Sequence, residues 1–162
     1  MTNLILVHHE DWNAPLKAEG LVRRLGKLEL DAVFTSPEEL SIQTAENIAQ
    51  AKGLVPTLVE EMRVCDTQRR IVVEMDRICS KHEQGTVAVV SHGDPIRWII
   101  AHYLGVTAEM LAGFEISPLS VSWLEFIDGQ SRLTIGSPVM IVPQAKAPLA
   151  LETPATPAPV KP

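Results

Sequence analysis

Two histidines, His8 and His9, close an apolar run near the start of the chain, and two acids, Glu10 and Asp11, follow them. A third histidine, His92, closes a second apolar run and leads into Gly93 and Asp94. Near neutral pH an imidazole can serve as nucleophile, base or metal ligand, according to which ring nitrogen carries the proton. One histidine at a strand end is an ordinary half-buried polar group, whereas two at the ends of separate strands of one sheet can converge on one pocket. His8, His9, Glu10, Asp11 and His92 are also all metal-ligand types, but they lack a ligand spacing signature.

The elements that must position these residues follow from the hydrophobic pattern. Residues 3–8 and 86–90 are continuous apolar strands, 32–35 is a shorter one, and 56–59 is shorter still. Between them run helical spacings: Leu16, Leu21, Leu25 and Leu28 within 15–28, then Ile71, Met75, Ile78 and Cys79 within 68–83, and a helix over 95–103. Ser36-Pro37-Glu38-Glu39 reads as the start of a helix reaching Lys52 before Gly53, with Ser36 as N-cap and proline in the first turn. Thr107–Ala112 reads as a further short helix. Strands that are apolar without alternation indicate a parallel sheet covered on both faces. Residues 121–126 and 133–135 flank Asp128-Gly129, a hairpin signal that adds an antiparallel edge. The expected fold is α/β, a three-layer α/β/α sandwich with a mostly parallel sheet and an antiparallel edge. It occupies residues 1–142 as one domain, and the proline- and alanine-rich stretch 143–162 is expected to be an extended tail.

Bulk properties narrow the function. The chain has 162 residues with 46% apolar content, enough for one domain with a core, and a net charge of −6. An acidic balance without a cluster of basic residues argues against nucleic acid or an anionic membrane as partner. No run reaches the roughly 18 apolar residues that span a bilayer, and the N-terminus lacks the basic start of a signal peptide. Cys65 and Cys79 have no metal spacing and fit a reduced, cytoplasmic setting, with Cys79 on the apolar face of its helix.

Four stretches, LILVHHE with the following WN, PLKAEGLVRRL, DAVFTSPEELSIQTAENIA and TVAVVSHGDPIRWIIAHYLG, taken in this order resemble the histidine phosphatase (phosphoglycerate mutase-like) superfamily over about residues 2–136. The resemblance implies that His9 takes the place of the histidine that attacks phosphorus and His92 that of the second histidine. Ser36, Asn13 and Gly93 then fall in the phosphate or ligand pocket. A transferring phosphoryl group carries spread negative charge, so the family surrounds it with two arginines, which are planar and permanently charged. Neither is present at the matching positions: His8 stands for the first and Leu40 for the second, in a block that usually reads Ser-Ser-Pro-Leu-x-Arg-Ala-x-Gln-Thr-Ala. Glu10 stands where the usual motif has glycine, and its charge opposes phosphate. Arg63, Arg69, Arg70 and Arg97 are the candidate replacement cations, although Arg97, one turn into the helix after Ser91-His92-Gly93, stands where the family commonly carries arginine too and is no new compensation. The stretch from Val59 to Thr86 is too short for the insertion that carries the family's acid, which leaves Glu60 and Glu61 as candidate acids.

Losing one preorganised donor costs about 10²–10³ in rate, and losing two costs more, though not additively. One reading is therefore a catalytically impaired member, a pseudoenzyme retaining the fold with a binding or regulatory role. The alternative is an active phosphomonoester or phosphohistidine hydrolase working through a phosphohistidine on His9, and a weaker one is a metal-dependent hydrolase. No cofactor and no resident metal are expected. The partner expected is a small phosphorylated molecule or a phosphoprotein, with a homodimer compatible with the sequence.

Overall fold

The computed structural model describes residues 2–9, 16–63, 65–127, 130–135 and 139–143. Glu10, Asp11 and Asn13, the Asp128-Gly129 turn and residues 144–162 of the expected tail lie outside the described residues.

The chain alternates strand and helix and then closes with strands: β1 (Asn3–His8), α1 (Leu16–Leu25), β2 (Ala32–Thr35), α2 (Glu39–Gln50), β3 (Thr57–Leu58), α3 (Gln68–Lys81), β4 (Thr86–Ser91), α4 (Gly93–Leu104), β5 (Val121–Ile127), β6 (Gln130–Ile135) and β7 (Val139–Pro143). Two 3₁₀ turns, Glu60–Met62 and Ala108–Leu111, follow β3 and α4. The strands form one seven-stranded sheet in the order β3-β2-β4-β1-β5-β6-β7. β3, β2, β4 and β1 pair in parallel. β5, β6 and β7 add an antiparallel edge through the β1–β5 pairing. This is the sandwich that the strand–helix repeat predicts.

The two-residue period of the central strands divides the core between the two faces. Leu4, Leu6, Val87 and Val89 pack with Ile71, Met75 and Ile78 of α3 and Ile96, Ile99 and Ile100 of α4. Ile5, Val7, Ala88 and Val90 pack on the opposite face with Leu21 and Leu25 of α1 and Ala45, Ile48 and Ala49 of α2. Each fully buried aliphatic side chain stabilises the fold by about 1.5–3 kcal/mol relative to exposure. β1 and β4 are therefore fixed by apolar surface on both sides, and their carboxyl ends come out of the sheet as a rigid pair. Burial also places Cys79 against the α3–α4 side of the core, as its helical spacing predicts.

Three boundaries differ from the sequence pattern. Ser36 is not the N-cap of α2: its amide still donates to Val90 O at 3.0 Å, so the chain remains extended alongside β4. The helix opens only at Glu39, with Glu38 as N-cap in extended conformation at φ −77°, ψ 144° and no capping bond from its side chain. β6 begins at Gln130 rather than 133, as the partner of Ile127. β7 is an additional strand, pairing Val139 with Thr134 and Pro143 with Gln130, so sheet pairing reaches the first residue of the stretch expected to be a tail.

Candidate functional site

The register of the two central strands builds the site. His8 lies opposite Ser91 in the β1–β4 ladder, and His9 continues it by donating its amide to Ser91 O at 3.1 Å. The histidine after β1 and the histidine after β4 thus leave adjacent strands at the same level. Their rings meet: His9 Nε2 lies 2.8 Å from His92 Nδ1, with centroids 4.6 Å apart and planes at 77°. This convergence is what two apolar strands ending in histidine imply.

On its other nitrogen His92 meets a residue that the sequence pattern assigned only to a helix start. His92 Nε2 lies 2.9 Å from Glu38 Oε2. The approach does not meet hydrogen-bond alignment. Both ring nitrogens of His92 are therefore in contact with protein groups. The signal for Glu38 was present in the sequence as an acid at the leucine of the Ser-Ser-Pro-Leu motif.

His8 is held on three sides. Its amide donates to Ser120 O at 3.1 Å, its carbonyl accepts from Leu119 N at 3.0 Å, and its Nδ1 lies 2.8 Å from Ile116 O. Leu119 adopts φ 60°, a left-handed conformation that costs a non-glycine residue of order 1 kcal/mol. A carbonyl acceptor fixes the proton on Nδ1 and leaves Nε2 a lone pair. Burial is the main influence that holds the His8 imidazole below its ordinary 6.5; backbone bonding at Ile116 and Ser117 opposes this, and the nearby His92 adds to it. His8 is thus a neutral ring where a permanent cation would be needed. Gly93 stands beside it: a β-carbon built there would reach 3.9 Å from His8 Cε1, ordinary contact.

The hydroxyls nearby are unused. Ser36 and Ser91, at the ends of β2 and β4, and Ser41, in the first turn of α2, are wholly buried, and their Oγ atoms have no partner among the described residues. A buried hydroxyl left without a bond costs about 1–3 kcal/mol.

The expected helpers are turned elsewhere. Glu60 pairs with Arg63 on the surface. Glu61 lines a groove along α3 with Arg69, Arg70, Val73 and Glu74. Arg70 pairs with Asp66 at 2.8 Å, and Arg97 pairs with Asp94 and donates to Phe114 O at 3.3 Å. The pairing with Glu60 is the main influence that raises the Arg63 guanidinium above its ordinary value, and the nearby charge of Glu38 adds to it. Among the described residues no group of three histidine, cysteine or acidic side chains is arranged to hold a metal ion.

The proton positions assigned from this network limit its chemistry. With His92 neutral, the carboxylate favours the proton on Nε2, and the Nδ1 lone pair accepts from His9 Nε2. With His92 doubly protonated, Nδ1 donates to His9 Nε2 instead. In both states His9 Nε2 is engaged by His92, and a carboxylate lies one ring away.

Residues 61–135, just under half of the chain, match the family model of the histidine phosphatase superfamily (branch 1). That span includes His92 and Gly93 but not His9 or Glu38. A comparison with curated proteins finds no match. Solved structures share the fold over most of the chain. A phosphoserine phosphatase from Entamoeba histolytica, in complex with 3-phosphoglyceric acid, superposes with a TM-score of 0.72 at 19% identity, covering 85% of this chain and 98% of that one. An alpha-ribazole phosphatase from Shigella flexneri gives 0.67 at 15% identity, covering 78% and 91%. A mycobacterial glucosyl-3-phosphoglycerate phosphatase gives 0.67 at 14% identity, covering 89% and 99%. At these identities the likeness is one of fold. Among the described residues no helix is long and apolar enough to cross a membrane.

Proposed function

We propose that the protein is a member of the histidine phosphatase superfamily that has kept the pocket and lost efficient phosphoryl transfer, and that it acts by binding, in a regulatory role, rather than by turnover. The observation that carries this reading is the His9–His92–Glu38 chain at 2.8 and 2.9 Å. A nucleophilic imidazole must present a lone pair to phosphorus, and here His9 Nε2 faces His92. A phosphoryl group needs fixed cations, and here a carboxylate lies against His92. Leu40 offers no donor, and His8 offers a neutral ring. The pocket residues of this proposal are His9 and His92, with His8, Ser36 and Gly93 around them; Glu10 and Asn13 join them on sequence grounds alone. Small phosphorylated molecules or phosphoproteins are the ligand class that the fold suggests, in a cytoplasmic setting.

Hydrolysis of p-nitrophenyl phosphate and phosphohistidine by the wild type and by His9→Ala tests the proposal. Indistinguishable, background-level rates are expected. Turnover that disappears with His9→Ala would establish an active hydrolase working through His9 and would sink the binding role.

A further inference from the structure

We propose that Glu38 is the resident anion of this pocket: on His92 its carboxylate takes the place of an external phosphate oxygen, and the pocket accepts a phosphate only when that carboxylate is displaced or neutralised. This inference rests on the reading of the pocket as one that has lost phosphoryl transfer.

Three observations carry it. The first is saturation of His92. Nδ1 is taken by His9 and Nε2 by Glu38, so an incoming oxygen has no nitrogen of His92 to bind without displacing one of them. The second is placement. Glu38 is the N-cap of α2, but its side chain makes no capping bond to its own helix. The carboxylate reaches instead to His92, the N-cap of α4, which likewise makes no side-chain capping bond. The charge therefore sits where the start of a twelve-residue helix favours an anion. The third is the quality of the contact. Because the Glu38–His92 approach is misaligned for a hydrogen bond, the contact is one that a better-fitting anion can replace.

The sequence departs from its resembled motif in the same sense. The leucine of Ser-Ser-Pro-Leu is an acid here and the arginine two residues on is Leu40, so one helix start has both lost its cation and gained an anion. Replacing the carboxylate by an uncharged side chain removes the like-charge repulsion of a part-buried site, which is worth at least about tenfold in affinity for phosphate.

The test titrates orthophosphate into the full chain by calorimetry, while the ring ¹⁵N resonances of His9 and His92 are followed. Wild type, Glu38→Gln, Glu38→Leu and Glu38→Gln/His92→Ala are compared. The expected result is binding at least about tenfold tighter in both single variants, movement of both ring signals, and loss of the gain in the double variant. Unchanged affinity in folded single variants, or a gain that survives without His92, would overturn the proposal. If neither single variant folds, the wild type decides: orthophosphate must move the Glu38 carboxyl ¹³C resonance together with the His92 ring, and movement of His92 alone, or of neither, overturns it. Hydrolysis of p-nitrophenyl phosphate on the same samples separates the two claims. His9-dependent turnover by the wild type removes the binding reading, whereas an inactive wild type with unimproved Glu38 variants removes only the resident anion.

Discussion

Between α3 and α4, Asp76 Oδ1 accepts from Tyr103 Oη at 3.0 Å and from His102 Nε2 at 3.1 Å, while Cys79 Sγ lies 3.3 Å from the same Tyr103 hydroxyl. Ser131 donates to the Tyr103 carbonyl at 2.9 Å, joining β6 to the group. At the carboxyl end of the sheet His9, His92 and Glu38 approach one another as closely, yet the hydroxyls of Ser36 and Ser91, at the ends of β2 and β4, are buried without partners among the described residues. Both clusters contain an acid beside a histidine. In the first, each polar group of the chain from thiol to carboxylate is answered by another, and the result is a clasp between helices. In the second, bonding capacity is left over. An Asp–His or Glu–His contact is thus no sign of function by itself; unspent donors in a buried place are the better one.

The sharpest way to break this contrast is to give the pocket the residues of the motif it resembles. His8→Arg with Leu40→Arg and Glu10→Gly should raise p-nitrophenyl phosphate hydrolysis by at least about 100-fold, since each restored donor is worth about 10²–10³. A folded triple variant that neither binds phosphate nor hydrolyses the ester shows that the missing cations are not the defect. On the clasp side, Tyr103→Phe removes the hydroxyl that links Asp76 and Cys79 and should cost about 1–2 kcal/mol, read as a Tm lower by roughly 3–6 °C. Ser36→Ala and Ser91→Ala should each be neutral or stabilising, by up to about 1–3 kcal/mol, because no bond is lost and an unanswered buried hydroxyl is removed; serine losses as large as the tyrosine loss would erase the distinction.

Thiol chemistry tests the clasp from another side. Cys65 is exposed, whereas burial pushes the Cys79 thiol above its ordinary range, with its contact to Tyr103 opposing in part. A thiol-disulfide reagent at pH 8 should label Cys65 at least about tenfold faster, and equal rates would mean that α3 and α4 part readily. The smallest expected effect belongs to His8. Its folded state favours the neutral ring, so its contribution is fully present above the ordinary 6.5 and is lost as pH falls below it. Denaturant unfolding across pH 5–8 should show wild-type stability declining on the acid side with a slope that His8→Asn reduces; an unchanged slope would assign the decline to other groups.

Much of this architecture was legible from patterns that report burial. Val87–Val90 and Leu4–Val7 are apolar on consecutive positions because both faces of the sheet are covered, and His9 and His92 stand out because each ends such a run. The role of Glu38 was hidden because an acid next to Pro37 fits a helix start equally well, and only the extended backbone of Ser36 along Val90 turns its carboxylate toward His92. Glu60 and Glu61 were candidates by spacing alone, and the 3₁₀ turn after β3 directs them to Arg63 and to the face of α3. β7 was missed because its pairing is with an edge strand, so its short apolar run is not distinguished from the proline-rich residues beyond it.

The separation of the two histidines is set by the β1–β4 ladder, from Asn3 opposite Thr86 to His8 opposite Ser91. The sheet acts as a ruler of about 4.8 Å, and the ruler lies in the part of the fold that opens last. In hydrogen exchange, the β1 and β4 amides should report the free energy of global unfolding, while those at the start of α2 should open locally and sooner. The histidine pair is then a permanent fixture and the acid a hinged one. Evolution can change what the pocket accepts at α2 without disturbing the distance at which any chemistry there would be done.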